Sequence, residues 1–216
     1  MVDLERLVSA NVQQAPYPFA IVPGFIKSDA LAAIDGDFPK VEKTGSFPLA
    51  SLTYGPAFSS LIAELSSSQM AAIITDKLKI DLNGRPVMVT VRGQCSARDG
   101  HIHTDSTTKL VTLLLYMNSK DESERGRLRI LRSSTDLNDY AAEIPPDEGT
   151  LLIFRNGPNA WHGFEPVDGM RRVIQVNWVT DESVVRREQA RHRLSAFIKR
   201  LGGLFSGGAG KHAAAH

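Results

Sequence analysis

The hydrophobic pattern of the chain changes at about residue 85, and the pattern downstream constrains the fold most strongly. Beyond Arg85 the apolar residues form short segments rich in β-branched and aromatic side chains, separated by Gly, Pro, Asn and Asp. Short strands in series favour a β-sandwich or barrel over a sheet built from alternating strands and helices. We therefore predict a mainly β core over residues 85–180. Its strand-like segments are Pro86–Arg92, Leu110–Tyr116, Arg127–Leu131, Thr150–Phe154 and Arg172–Trp178.

Residues 1–84 carry a largely helical pattern that predicts a supporting layer for this core. The stretch Ser28–Ile34 begins with a capping pair and continues with apolar residues at helical spacing. Apolar residues between Pro56 and Leu78 also keep a helical spacing, which predicts one longer helix. The Pro-bounded segment Tyr17–Phe25 is instead predicted to be a strand that enters a turn. We expect the helices to pack on one outer face of the β core.

The C-terminal region is predicted to contain one helix followed by a tail. The helix is expected over Asp181–Leu201, with an apolar stripe on one face and several arginines on the others. It ends before Gly202 and Gly203, and residues 202–216 form a small-residue tail that we predict to be flexible. The arginines indicate either a solvated face or a docking surface for an acidic partner. Residues 1–201 are thus predicted to form a single domain.

Bulk composition excludes several classes of protein. The net charge of +1 over 216 residues gives no general attraction to nucleic acid or anionic membranes. A single cysteine, Cys95, rules out an internal disulfide and fits a reducing compartment. No apolar run approaches the roughly 18 residues that span a bilayer, and the N-terminus has no apolar signal core. We expect a cytoplasmic protein that binds neither nucleic acid nor membranes, and the pattern leaves its oligomeric state open.

Two histidines and one aspartate form the strongest chemical signal. His103 and Asp105 are two residues apart, and His162 follows 59 positions after His103 (162 − 103). Alternate residues of an extended chain point to one side, so His103 and Asp105 can reach the same metal ion. Two imidazoles and one carboxylate suit a non-haem ferrous ion and leave positions open for a substrate and dioxygen. The alternative is a loop histidine beside a solvated aspartate.

The last predicted strand contains two adjacent arginines. Arg172 shares its strand parity with Ile174, Val176 and Trp178, whereas Arg171 shares its parity with polar residues. Alternation therefore assigns Arg172 to the apolar side, which we interpret as the interior of the barrel. A buried guanidinium needs an anion, and a dicarboxylate co-substrate would provide one. An ordinary ion pair within the protein is the alternative.

Several linked motifs between Val89 and Thr180 resemble the catalytic core of the 2-oxoglutarate-dependent oxygenases, in their prolyl-4-hydroxylase-like branch. Both the order and the approximate spacing of the motifs agree with that family over nearly a hundred residues. The motifs are His103-Thr104-Asp105, Val111–Asn118, Gly126–Ile130, Gly149–Phe154 and His162–Arg172.

This resemblance implies a double-stranded β-helix, or jelly-roll, whose open mouth holds Fe(II). It also implies that His103, Asp105 and His162 are the iron ligands. An arginine on the penultimate core strand would bind the distal carboxylate of 2-oxoglutarate, helped by a tyrosine that matches Tyr116. Counting from Gly169 favours Arg171 for that role, whereas counting back from Trp178 favours Arg172, and strand alternation selects Arg172. Trp178 is expected beside the co-substrate.

The activity implied by the resemblance is hydroxylation of an unactivated C–H bond. Iron and 2-oxoglutarate would be required, succinate and carbon dioxide would be co-products, and ascorbate would support turnover. The substrate is either a prolyl-like residue in a peptide or a small molecule, selected by loops such as 118–125 and 133–142. A non-catalytic jelly-roll that binds a metal or metabolite is the competing hypothesis.

Overall fold

The computed structural model describes residues 1–119, 126–187 and 190, and two antiparallel β-sheets form its centre. The larger sheet has six strands and the smaller has three, which confirms the predicted jelly-roll. The strands are Phe19–Val22 (β1), Phe47–Pro48 (β2), Val87–Cys95 (β3), Lys109–Tyr116 (β4), Leu128–Leu131 (β5), Tyr140–Ile144 (β6), Leu151–Arg155 (β7), His162–Gly163 (β8) and Gly169–Val179 (β9).

The strand order shows that the N-terminal region does more than support the core. In the larger sheet the order is β1-β7-β4-β9-β3-β2, and in the smaller it is β6-β5-β8. The edge strands β1 and β2 of the larger sheet both come from the first 84 residues. All five predicted segments of the core are strands, while β6 and the two-residue β8 were not predicted. Both have weak strand signals in the sequence, since β6 is alanine-rich and β8 is very short.

The helices of the N-terminal region pack against the larger sheet. The predicted helix from Pro56 to Leu78 is wrong as a single element, because the structure breaks it after Leu65. Ser67 caps the second helix by accepting a hydrogen bond from the backbone of Met70, so a new helix begins although the apolar spacing continues. The helices are Leu4–Ser9 (α1), Ser28–Asp37 (α2), Pro56–Leu65 (α3) and Ser68–Leu78 (α4).

Two apolar clusters lie on opposite faces of the larger sheet. We call the first the helix-side core, because side chains of α1 to α4 there pack against Val111, Ile174, Val176 and Trp178 of the sheet. We call the second the inter-sheet core, because it fills the space between the two sheets. Its members are Tyr17, Phe19, Cys95, Leu114, Tyr116, Leu128, Ile130, Ile144, Leu152, Phe154, Ala160, Phe164 and Val173.

Some predictions fall largely outside the described residues. Residues 182–187 and 190 are helical, as expected, whereas residues 188, 189 and 191–201 of the predicted helix and the tail 202–216 lie outside the described residues. The same holds for most of the loop 118–125. Within the described ranges no single helix is long and apolar enough to cross a membrane. The pair α3 and α4 passes that test only when taken together, across a bend of 42°.

Candidate metal and co-substrate site

The structure brings His103, Asp105 and His162 together at one end of the inter-sheet space. One potential ligand atom from each residue lies within 4.8 Å of the others. His162 is on β8 in the smaller sheet, whereas His103 and Asp105 are on the segment between β3 and β4. Two nitrogen ligands and one oxygen ligand fit the facial arrangement of a non-haem ferrous site.

Backbone pairing fixes the two histidines relative to each other. The backbone N–H of His103 donates to the carbonyl of His162, and the reverse hydrogen bond is also present, each at 3.0 Å. The pairing needs close approach at Gly100, where φ is +98° and an added Cβ would lie 2.3 Å from the carbonyl oxygen of Phe164. An added Cβ on Gly163 would lie 2.9 Å from the carbonyl oxygen of Gly100. These two glycines therefore allow the ligand-bearing segment to lie against β8.

Both imidazoles are oriented with one nitrogen free for a metal. The Nδ1 atom of His103 lies 2.8 Å from the carbonyl oxygen of His101, and that of His162 lies 2.9 Å from the carbonyl oxygen of Ala160. A carbonyl can only accept, so each Nδ1 carries the proton and each Nε2 has a free lone pair. Burial lowers the pKa of His162 to about 4, with a further contribution from the neighbouring His103. His162 is therefore neutral at physiological pH, as metal binding requires.

Two donors hold the carboxylate of Asp105. The Lys109 ammonium donates to Oδ1 at 2.6 Å, and the Thr112 hydroxyl donates to Oδ2 at 2.6 Å. Thr112 in turn accepts hydrogen bonds from the side-chain amides of Asn156 and Asn177. Burial acts to raise the pKa of Asp105, but the charge of Lys109 and these hydrogen bonds outweigh it and hold the pKa below its usual value. Asp105 is thus an oriented anion.

A cavity of about 390 Å³ opens beside the three candidate ligands, between the two sheets. Strand β9 contributes Arg171, Val173 and Gln175 to its wall. Strand β4 contributes Lys109, Thr112 and Leu114, and β3 contributes Thr90 and Arg92. The wall is therefore largely polar, in contrast to the apolar interior that strand alternation predicted.

The assignment of Arg172 to the interior is wrong, and Arg171, the alternative, faces the cavity. Arg171 is 6% exposed, whereas Arg172 lies on the helix side and forms an ion pair with Asp35 of α2. The placement of Trp178 beside the co-substrate is wrong for the same reason, because Trp178 belongs to the helix-side core. The two arginines do lie on opposite faces of β9, as strand alternation predicted. The face that carries the apolar residues, however, is the one covered by helices and not the one that lines the cavity.

Arg171 and Tyr116 form a buried pair at the inner part of the site. The guanidinium of Arg171 lies 4.2 Å from the ring centre of Phe164 and 5.3 Å from that of Tyr116. Its Nε donates to the carbonyl of Gly126, so its position is fixed. Among the described residues, Arg171 Nη2 and the Tyr116 hydroxyl are buried polar atoms that have no hydrogen-bond partner. Buried donors of this kind are costly unless a ligand completes them, so the pair fits a carboxylate.

The ionisation of this pair also suits a carboxylate. Burial raises the pKa of Tyr116, although the charge of Arg171 acts in the opposite direction. The hydroxyl is therefore protonated at neutral pH and can donate. Arginine keeps its charge under these conditions. Together they offer one cationic and one neutral donor to an anion.

Several residues around the site were not found from sequence. Thr112, Asn156 and Asn177 form the hydrogen-bonded support of Asp105, and the hydroxyl of Tyr17 donates to the carbonyl of Trp161 at 2.8 Å. A weak signal existed for Thr112 and Asn177, since polar residues interrupt two otherwise apolar strands. Their pairing across β4 and β9, in which Thr112 lies opposite Asn177, could not be read from either strand alone.

A jelly-roll with a cluster of two histidines and one carboxylate at its mouth fits the class of non-haem iron oxygenases. Residues 93–180 match the family described as the 2OG-Fe(II) oxygenase superfamily. The matched residues carry all three candidate ligands, and the match supports a 2-oxoglutarate-dependent dioxygenase that uses Fe(II). It favours an enzyme over a non-catalytic binding module. No curated protein matches the chain significantly.

Solved structures with similar folds include prolyl 4-hydroxylases. A Pseudomonas putida prolyl-4-hydroxylase is 15% identical with a TM-score of 0.54, and the match covers 82% of this chain and 97% of that one. Prolyl 4-hydroxylases from Phytophthora capsici give 16% identity and a TM-score of 0.55, over 86% and 68% of the two chains. HygX from Streptomyces hygroscopicus, solved with nickel and 2-oxoglutarate, is 13% identical with a TM-score of 0.52, and the match covers 76% of this chain and 82% of that one. At these identities the similarity establishes the fold, which is that of the prolyl-4-hydroxylase-like branch.

Proposed function

We propose that this chain hydroxylates an unactivated C–H bond of a prolyl-like peptide residue or a small molecule, using a site assembled from both sheets. His103, Asp105 and His162 hold the iron in this proposal, and Arg171 and Tyr116 bind 2-oxoglutarate. The observation that carries the proposal is the pair of unsatisfied buried donors, Arg171 Nη2 and the Tyr116 hydroxyl, in the same inter-sheet space as the three candidate ligands.

The protein residues act by binding and orientation. The free Nε2 atoms of His103 and His162 and one oxygen of Asp105 would hold the metal. Thr112 keeps the carboxylate oriented, because Asn156 and Asn177 donate to its oxygen and leave its own proton for Asp105. When bound, Fe(II) and 2-oxoglutarate would supply the oxidising chemistry with dioxygen as the oxidant. One oxygen atom of O2 would enter succinate as 2-oxoglutarate loses carbon dioxide, and the other would enter the new hydroxyl group of the substrate.

Arg171 and Tyr116 fix the far end of 2-oxoglutarate. A guanidinium held by Gly126 and stacked on Phe164 is already oriented before the co-substrate arrives, so little side-chain entropy is lost on binding. The protonated Tyr116 hydroxyl donates a second hydrogen bond to the same carboxylate. Leu114, Leu128 and Val173 supply apolar wall that excludes water from the co-substrate.

The assignment of a prolyl-like substrate rests on the fold relatives named prolyl 4-hydroxylases, and HygX is a further relative with the same fold. We therefore propose peptidyl prolyl residues first and free small molecules second. Both classes fit an open cavity of about 390 Å³ at the mouth of a jelly-roll.

The test combines binding with turnover. Purified protein is loaded with Fe(II) without oxygen, and 2-oxoglutarate binding is measured by calorimetry and by the charge-transfer absorption that a chelating 2-oxo acid produces. Succinate release is then followed in air with ascorbate, against a panel of prolyl peptides and a panel of free amino acids. We expect one panel to stimulate succinate release in equal amount to hydroxylated product. Failure of 2-oxoglutarate to bind the iron-loaded protein would contradict the proposal.

A further inference from the structure

An irregularity in β4 directs the side chain of Lys109 toward the cavity. Lys109 lies opposite Val179 of β9, but Val111 lies opposite Trp178, so the register shifts by one residue between them. Leu110 and Val111 both pack toward the helix-side core. Without the shift, Leu110 would lie opposite Val179 and Lys109 would point toward the helices. A β-bulge of this kind re-aims a side chain, and here it re-aims a cation.

Lys109 differs from Arg92 and Arg171, which also line the cavity, because its own partner is a candidate metal ligand. Arg92 pairs with Asp99 at 2.8 Å, and Arg171 faces the unsatisfied inner site. Lys109 pairs with Asp105, which is a candidate metal ligand. A metal at the three ligands would take one Asp105 oxygen and would repel the ammonium group. Binding of the metal therefore competes directly for the partner of Lys109.

The two donors to Asp105 are not equally able to move. Thr112 is held by the amides of Asn156 and Asn177, whereas Lys109 has a flexible stem and its side chain is 17% exposed. The metal is thus expected to displace Lys109 from Oδ1 and to leave Thr112 on Oδ2. The displaced ammonium group then lies in the substrate cavity without its former partner.

The charge balance of the cavity points the same way. Its wall carries four cations, Arg92, Arg98, Lys109 and Arg171, and two acids, Asp99 and Asp105, so the difference is +2 (4 − 2). A ferrous ion and a 2-oxoglutarate dianion add opposite and equal charges. The loaded cavity therefore keeps a positive excess close to the reacting centre, which attracts an anion and disfavours a cation.

We propose that Lys109 recognises an anionic group, a carboxylate, on the primary substrate once the metal is bound. This inference rests on the proposed function and narrows its substrate class. The carboxylate has two sources, an acidic side chain beside the target residue of a peptide or the free carboxylate of an amino acid. Release of Lys109 from Asp105 also links substrate recognition to metal loading, since the metal-free site keeps the ammonium occupied.

Binding without turnover tests this directly. Protein loaded with Mn(II) and 2-oxoglutarate is titrated by calorimetry with two matched pairs: a capped Pro-Asp dipeptide against Pro-Asn, and free L-proline against L-prolinamide. We expect the acidic member of one pair to bind at least about 10-fold more tightly than its amide, and the pair identifies the source of the carboxylate. Raising the salt concentration should reduce this preference.

Variants at Lys109 identify the residue responsible. Lys109→Met should reduce the preference to within about 2-fold, while Lys109→Arg should retain most of it. Lys79→Met removes a lysine of a distant exposed pair and should keep the wild-type preference. Mn(II) and 2-oxoglutarate binding by Lys109→Met should equal or exceed that of the wild type, because a competitor for Asp105 is gone.

The outcomes separate this inference from the proposed function. If Mn(II) and 2-oxoglutarate bind normally but no acidic probe exceeds its amide, the inference is overturned and the proposed function stands. If Lys109→Met loses Mn(II) affinity, Lys109 positions Asp105 instead, and the inference is again overturned. If the wild type binds neither Mn(II) nor 2-oxoglutarate, both fall together.

Discussion

The two faces of the larger sheet differ most where β9 passes the cavity. On β9, the helix-side face presents Ile174, Val176 and Trp178, all buried against helices, whereas the cavity face presents Arg171 and Gln175. The first face contributes stability through apolar burial, and the second contributes binding through oriented polar groups. The difference teaches that in this fold the more apolar parity of a strand identifies the helix-covered side. The interior of the jelly-roll also contains the inter-sheet core, but where it lines the cavity it presents the polar groups that could hold ions.

The largest expected effect comes from removing a candidate metal ligand on the cavity face. His103→Ala, Asp105→Ala and His162→Ala should each reduce Fe(II) affinity by more than about 100-fold, because a ligand is lost outright. The fold should persist, since these residues contribute little to either apolar cluster. Calorimetric metal titration measures the affinity, and thermal unfolding followed by circular dichroism measures the fold. Wild-type metal affinity in all three variants would contradict the assignment of the site.

The next largest effect is expected from a substitution on the helix-side face. Trp178→Ala removes a fully buried side chain and should lower the free energy of unfolding by about 3–5 kcal/mol. The folded fraction should bind 2-oxoglutarate with nearly wild-type affinity, because Trp178 faces away from the cavity. Chemical denaturation measures the first quantity and calorimetry the second. A selective loss of 2-oxoglutarate binding without loss of stability would contradict the division between the two faces.

Arg171→Gln tests the cavity face of β9 through its affinity for 2-oxoglutarate. Removing one partner of a buried charged pair costs about 2–5 kcal/mol, so the 2-oxoglutarate dissociation constant should rise by tens to thousands of fold. The carboxylate would lose its cationic donor, while Tyr116 alone would remain. The measurement is a 2-oxoglutarate titration of the metal-loaded protein under anaerobic conditions. An unchanged dissociation constant would remove Arg171 from the co-substrate site.

A smaller effect is expected for the support of Asp105. Thr112→Val keeps the shape of the side chain but removes the hydroxyl that donates to Oδ2, and it leaves the amides of Asn156 and Asn177 without their acceptor. Metal affinity should fall by about 10- to 100-fold. Thr112→Ser should restore most of it, because the hydroxyl returns. Equal losses in both variants would indicate a packing defect rather than a lost hydrogen bond.

The smallest effect is expected at Arg172, the neighbour of Arg171 on the opposite face. Arg172→Gln removes a partly exposed ion pair with Asp35, worth about 0–1 kcal/mol of stability. Its 2-oxoglutarate dissociation constant should match that of the wild type in the same titration as Arg171→Gln. If Arg172→Gln were the variant that lost co-substrate affinity, the two faces of β9 would be exchanged.

Much of the candidate site could be predicted from sequence because its signals are local. The spacing of His103 and Asp105 and the position of His162 identified all three members of the observed cluster. Tyr116 was named through the resemblance to the family and not from a local signal, and the structure places its hydroxyl among the buried unsatisfied donors. The supporting residues Asn156 and Asn177 could not be predicted, because they meet Thr112 only after separate strands have paired.

The sequence by itself determined the class of fold, the segments of the core and the residues of the metal cluster, because strand periodicity and motif spacing are properties of the local chain. Only the tertiary structure decided which face of β9 lines the cavity. Alternation separates Arg171 from Arg172, but it does not say which side the helices cover. The same holds for Lys109, whose direction depends on a register shift between β4 and β9. A side chain's face is set by what packs on each side of the sheet, and that packing partner comes from a distant part of the chain.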